Sequence, residues 1–232
     1  MLVNDIEVKV IRKNIKNVHL YVKPPAGDVE VTCPLLYSDE NIKLFVRTRI
    51  NWIRRQKEAF DKQSRQSKRE YVSGETMYLF GNQYFLQIDY DSRQYNIKQS
   101  GEKIHFVVRK GSTVKQREAV FNAWYRSKLK KVLDSLVVKI EKQTGLNCSS
   151  YSITNMQSKW GSCNTETKRI NLNLQLVKVP LICIEYVVLH ELAHTVEKSH
   201  NGKFIAILDQ FMPTWREVKE LLNSQTINCY GL

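Results

Sequence analysis

Three histidines and a glutamate in the last third of this 232-residue chain stand at spacings that serve metal chemistry: His190-Glu191-Leu192-Ala193-His194, then His200. A helix advances about 3.6 residues per turn, so positions i and i+4 share one face. On a helix, His190 and His194 aim two imidazole nitrogens at one point. Glu191 stands beside the first, placed to reach a metal-bound water rather than the metal. His200 lies too far along for the same face, and Ser199, Asn201 and Gly202 supply the turn that must intervene. Three neutral imidazoles leave one position of tetrahedral Zn2+ open for water, the arrangement of a zinc hydrolase. The pattern predicts His190, His194 and His200 as zinc ligands and Glu191 as general base.

Other readings compete at this site. The chain has five histidines, and three in one short window speak against an incidental cluster on a buried helix. A structural zinc usually closes its fourth position with Cys or His, and Cys163 is the residue that can do so. Glu197 is an alternative third ligand to His200. Trp160-Gly161-Ser162-Cys163 is a candidate substrate-side loop, because glycine permits close backbone approach and tryptophan offers an apolar face. The plainer reading makes it a structural turn under the helix. Cys163 as a thiol nucleophile is disfavoured by the complete zinc motif. Tyr186 and Lys159 are the candidates for steadying an oxyanion, while His19 and His105 have no motif partners.

These residues need elements to hold them. Pro180 to Leu189 runs into the motif, with Pro180 suited to a first helical turn and Glu185 to the positive end of the helix dipole. Apolar residues cover nearly the whole circumference, so this helix is buried, and it is too short and too polar for a membrane span. Upstream, a long helix from the capping pair Thr113/Gln116 to Thr144-Gly145 buries Phe121, Tyr125, Leu129, Val132, Leu136 and Ile140. Strands at Tyr151–Met156 and Arg169–Leu174 flank a loop from Gln157 to Asn164. Short helices follow at Phe204–Phe211 and Pro213–Leu222.

The first half reads as strands around one helix. Ile6–Ile11, Val18–Val22 and Val29–Val31 are strand-like, with turn chemistry at Pro24-Pro25-Ala26-Gly27-Asp28. Ser38 caps a helix running to about Ser64 through Ile42, Phe45, Val46, Ile50 and Ile53. Thr76–Phe80, Tyr84–Tyr90, Gln94–Gln99 and Ile104–Val108 follow, with hairpin turns at Gly81-Asn82, Asp91-Ser92 and Ser100-Gly101. This predicts an antiparallel β-rich domain with a long helix over residues 1–111 and a mostly helical domain with a small sheet over 112–232. No internal repeat is visible.

Composition sets the compartment and partners. The start Met1-Leu2-Val3-Asn4-Asp5 has no basic region before an apolar run, and five scattered cysteines without CxxC spacing argue against a disulfide framework. The expectation is a soluble cytoplasmic protein with no membrane partner. Net charge is +13, with ten Lys/Arg against three Asp/Glu from Lys43 to Glu70 and a second cluster at Arg126, Lys128, Lys130 and Lys131. That charge suits nucleic acid or an acidic partner, but without an accompanying nucleic-acid motif the plainer reading is solvated helix faces.

Taken together, several segments resemble one family. Lys159-Trp160-Gly161-Ser162-Cys163, Ile170-Asn171-Leu172-Asn173, Tyr186 through His194, His200-Asn201, Phe204 and Met212-Pro213 follow the order of the YgjP-like metallopeptidases, relatives of the SprT-like zinc proteins. Ile11-Arg12-Lys13-Asn14, Cys33-Pro34 and Trp52-Ile53 resemble the family more loosely. Lys159 stands where the family usually has Arg, which questions any role that needs a bidentate guanidinium, and Asn201 stands where Ser is common. The resemblance implies a zincin-like C-terminal domain with zinc on His190, His194 and His200, and hydrolysis of peptide bonds in a protein or peptide substrate. The alternative, suggested by the SprT-like relatives, is a DNA-associated protein with DNA-stimulated proteolysis or a mainly structural zinc. A third reading is a zinc hydrolase of non-peptide amides.

Overall fold

Alternating apolar residues build the first sheet. β1 (Leu2–Val3), β2 (Ile6–Lys13), β3 (His19–Lys23) and β4 (Asp28–Pro34) lie in the order β1-β2-β4-β3. Ile6, Val8, Val29, Val31 and Cys33 point inward, and Ile42, Val46 and Ile53 from the following helices close a core over them. This computed structural model describes residues 1–23, 27–62, 69–91, 94–156 and 159–224. Part of four expected features therefore lies outside the described residues: Pro24-Pro25-Ala26, the helix end at Ser64, the turn at Ser92 and the loop start Gln157-Ser158.

The single helix expected after Ser38 is two, α1 (Asp39–Arg47) and α2 (Ile50–Lys62). Ser38 caps the first through the Asn41 N–H. The break has a local cause. The Thr48 hydroxyl donates to the Phe45 carbonyl, and the Arg49 N–H donates to Val46 at i−3, tightening the last turn.

A second four-stranded sheet follows: β5 (Thr76–Leu79), β6 (Asn82–Asp91), β7 (Asn96–Ser100) and β8 (Lys103–Arg109), ordered β5-β6-β8-β7. Neither sheet is purely antiparallel, as the turn chemistry suggested. β2 pairs β4 in parallel, and β6 pairs β8 in parallel. The reason is burial. β6 and β8 carry Leu86, Ile88, Ile104 and Phe106 into the core, whereas β7 reads Asn-Ile-Lys-Gln-Ser and is largely exposed, so it takes the edge. The two sheets share one succession of antiparallel, parallel and antiparallel pairs, a structural repeat with no counterpart visible in the sequence.

Next comes α3 (Val114–Thr144), opened by a capping box at Thr113/Gln116 and closed by Gly145 in the left-handed conformation. A small sheet of β9 (Ser150–Thr154), β10 (Gly161–Asn164) and β11 (Arg169–Asn173) runs β10-β11-β9. Residues 161–164 were expected within a loop, but they pair in register with Leu172 back to Arg169. A 3-10 helix (Leu174–Lys178), α4 (Leu181–Ala193), α5 (Gly202–Phe211) and α6 (Trp215–Ser224) complete the described chain. No helix among the described residues is long and apolar enough to cross a membrane.

The chain divides into two compact units, Met1–Arg65 and Gln66–Leu232, rather than at the turn near Gly111. Met77, Leu79, Leu86, Ile104 and Phe106 share one core with α3 and α4, so that turn bends the chain within a single core. The Tyr125 hydroxyl donates to the Tyr78 carbonyl at 2.7 Å, tying α3 to this sheet.

The β5–β6 turn also seats α4. The Phe80 and Gly81 N–H groups donate to Val177 and Lys178 carbonyls at 2.7 and 3.1 Å. Gly81 has φ +83°, and a β-carbon there would fall 2.9 Å from Pro180 Cγ, at the N-cap of α4. Gly81→Ala therefore meets both a strained backbone and an overlap, and should destabilise the protein by about 1–3 kcal/mol. A urea midpoint equal to wild type would show that this turn does not support the helix.

Candidate metal centre

Helix α4 is apolar enough to sit entirely inside, and that is what presents the motif. Cys183, Ile184, Tyr186, Val187, Val188, Leu189, Leu192 and Ala193 are buried, and so are His190 and Glu191. α4 packs against α3, α5, α6, β10 and β11. Glu185, expected to favour the helix dipole, pairs instead with Lys139 of α3 at 2.8 Å.

The helix ends at His194, and a tight turn follows. Thr195 and Val196 N–H groups donate to Leu192 and Ala193 at i−3. Asn201 then caps α5 through the N–H groups of Lys203 and Phe204. Asn is among the residues that cap helices most effectively. The turn returns His200 to the other two histidines. His194 Nε2 and His200 Nε2 are 3.0 Å apart, and His200 Nε2 and His190 Nε2 are 3.2 Å apart. The three ring centroids form a triangle of 4.9 Å sides.

This geometry fits one metal ion. Nitrogens bound tetrahedrally at zinc distances lie about 3.3 Å from one another. One ring nitrogen from each of His190, His194 and His200 lies within 4.8 Å of the other two, and no other His, Cys, Asp or Glu among the described residues joins them. Cys163 therefore does not close a fourth position. The His194 tautomer is set by its far side: Nδ1 faces the Glu197 carbonyl at 2.9 Å, which only accepts, so the proton sits on Nδ1 and the Nε2 lone pair is free. Burial first, then the charges of His194, His200 and Lys219, pushes His190 down to about 3. His200 is lowered for the same leading reason. Neutral imidazole is the form that binds metal.

Glu197 enters in another role than ligand. Its carboxylate accepts from Ser199 N–H and Oγ at 3.4 and 3.3 Å, and its main-chain carbonyl orients His194. Phe204, 2% exposed, lies under all three imidazoles with centroids 4.7–4.9 Å away. It belonged to the resembling segments, but its spacing gave no hint that it floors the site.

Of the predicted loop, Trp160 is 1% exposed, Gly161 lies against the Glu191 side chain, and Ser162 and Cys163 continue along β10. The Cys163 thiol is pushed up to about 11 by burial and by the negative charge of Glu191, the opposite of an activated nucleophile. Tyr186 is fully buried, stacked on Trp215 at 6.3 Å, with its hydroxyl unpartnered among the described residues. Its ring lies 5.8 Å from that of His190. Lys159 is exposed, and its charge opposes the rise in the Glu191 pKa. His105 lies 3.9 Å from Asp89 on the second sheet, and His19 stacks on Tyr21 in the first unit.

Burial pushes the Glu191 carboxyl up to about 8 from the usual 4.5. In the metal-free protein, that group favours the folded state below about pH 4.5 and withdraws its support as pH rises to about 8. His190 does the reverse, supporting the fold above about 6.5 and losing that support toward pH 3. The two slopes oppose between pH 4.5 and 6.5. Metal-free stability should be level there and fall on both sides. In urea titrations with chelator, Glu191→Gln should abolish the alkaline fall up to pH 8. Persistence of that fall in the variant would assign it to another group.

A family model described as a YgjP-like metallopeptidase domain matches residues 16–225. No curated protein matches the chain. Among solved structures, the metallopeptidase zymogen of Pyrococcus abyssi abylysin is 16% identical with a TM-score of 0.38, covering 42% of this chain and 98% of that one. The metallopeptidase zymogen of Methanocaldococcus jannaschii jannalysin is 27% identical with a TM-score of 0.37, covering 41% and 97%.

Proposed function

This chain belongs to the YgjP-like metallopeptidase family, and on that premise we propose that it cleaves peptide bonds with zinc on His190, His194 and His200 and with Glu191 as general base. The observation that carries the reading is the convergence of three imidazole nitrogens beside a buried carboxylate. Bound there, zinc supplies a Lewis acid for the scissile carbonyl and lowers the pKa of a water to about 7. The chain's own residues do the rest. His194 offers Nε2 because its Nδ1 proton is engaged by the Glu197 carbonyl. Glu191 takes the proton from the attacking water and returns it to the leaving amine. In this reading the Gln66–Leu232 unit is zincin-like, with the motif helix packed beneath the small sheet. Free cysteines at positions 33, 148, 163 and 183 accord with a reducing, cytoplasmic setting.

A second reading adds nucleic acid as partner. It is supported by exposed Trp52, Arg54 and Arg55 on α2 in a chain of net charge +13.

The test is zinc content beside casein cleavage, with and without DNA. Glu191→Gln should keep the metal and lose cleavage by about 10²–10⁴-fold. His194→Ala should lose the metal. Full activity in Glu191→Gln would refute the general base, and unchanged zinc in His194→Ala would refute the ligand set. Stimulation by DNA that disappears at high salt would favour the second reading.

A further inference from the structure

Gly161 meets none of the conformational needs that usually select glycine. It lies in β10, paired with Leu172, and its φ is not among the positive ones. Extended backbone of this kind accepts any residue. The constraint is space. A β-carbon at position 161 would fall 2.5 Å from Glu191 Oε1 and 2.8 Å from both Cδ and Cγ. Those approaches are closer than carbon and oxygen tolerate, so the bare α-carbon of Gly161 is the surface on which the carboxylate rests.

Neither side of this contact can yield easily. Glu191 is 2% exposed on a helix packed on all sides. The strand opposite is pinned by Asn173, which is wholly buried. Its side-chain NH2 donates to the carbonyls of Met156 and Lys159 at 2.9 and 2.6 Å, and its Oδ1 accepts from the N–H groups of Met156 and Gln175 at 3.2 and 3.1 Å. Its main-chain N–H holds the Trp160 carbonyl at 2.9 Å. The buried Trp160 ring anchors the same turn.

We propose that Gly161 is a positioning residue for the reaction: its missing side chain sets where the Glu191 carboxylate lies, and Asn173 holds the wall in place. The inference rests on the reading of Glu191 as general base. The three atoms nearest a β-carbon at position 161 all belong to Glu191, so a side chain there bears first on that carboxylate.

The test joins kinetics to a stability cycle. Gly161→Ala should keep full zinc content and a KM near wild type on casein while kcat falls by about 10²-fold, the loss expected of a group misplaced by an ångström. Thermal unfolding is compared for wild type, Gly161→Ala, Glu191→Ala and the double variant, all without metal. Glu191→Ala removes the three atoms nearest the new methyl, so Gly161→Ala should lower Tm in the wild-type background and much less in Glu191→Ala. The cycle still decides if Gly161→Ala alone folds poorly, because the double variant then recovers. An equal Tm loss in both backgrounds, a kcat within about threefold of wild type, or a loss of zinc would each overturn the proposal. Activity surviving in Glu191→Gln would instead overturn the general-base reading, while the stability cycle would still report on the contact.

Discussion

Much of the second unit answers one constraint: an imidazole and a carboxylate are held inside an apolar helix. Polar groups removed from water need partners, and an unpaired charge in such a place costs several kcal/mol. α4 meets this with position. His190 and Glu191 are 4% and 2% exposed; the His190 Nε2 meets His200 where the chain returns, and the Glu191 carboxylate lies against Gly161 of β10. Desolvation keeps His190 neutral and holds the Glu191 proton more tightly than water would.

The surrounding elements hold that helix rigidly. α3 lies along it, the β5–β6 turn docks at its N-terminus, β10 presses on Glu191, and Phe204 of α5 lies beneath the histidines. Each support comes from a different part of the chain. A site whose groups must sit within fractions of an ångström gains from such over-determination. The second sheet therefore belongs to the same unit as α3 and α4, although a glycine turn separates it from α3 in sequence. The first sheet, with the same strand order, closes a core of its own with α1 and α2.

Local patterns determined much of this protein. The i, i+4 histidines and a third histidine past a turn point to a cluster able to hold a metal, because helical periodicity alone brings the first two together. Capping chemistry placed both ends of α3, and apolar periodicity gave its buried stripe of Phe121, Tyr125, Leu129, Leu136 and Ile140. Only the tertiary structure decided the rest. That β6 and β8 run in parallel follows from which strands share the core, a long-range choice that turn residues do not encode. Residues 161–164 became a strand because β11 offered a pairing edge, and Glu197 gave up its carboxylate to Ser199 because the turn aimed its carbonyl at His194. Phe204, Asn173 and Gly161 read in sequence as a helix residue, a strand residue and a loop glycine. Their meaning comes from atoms placed against them by distant segments, and no short-range pattern carries that information.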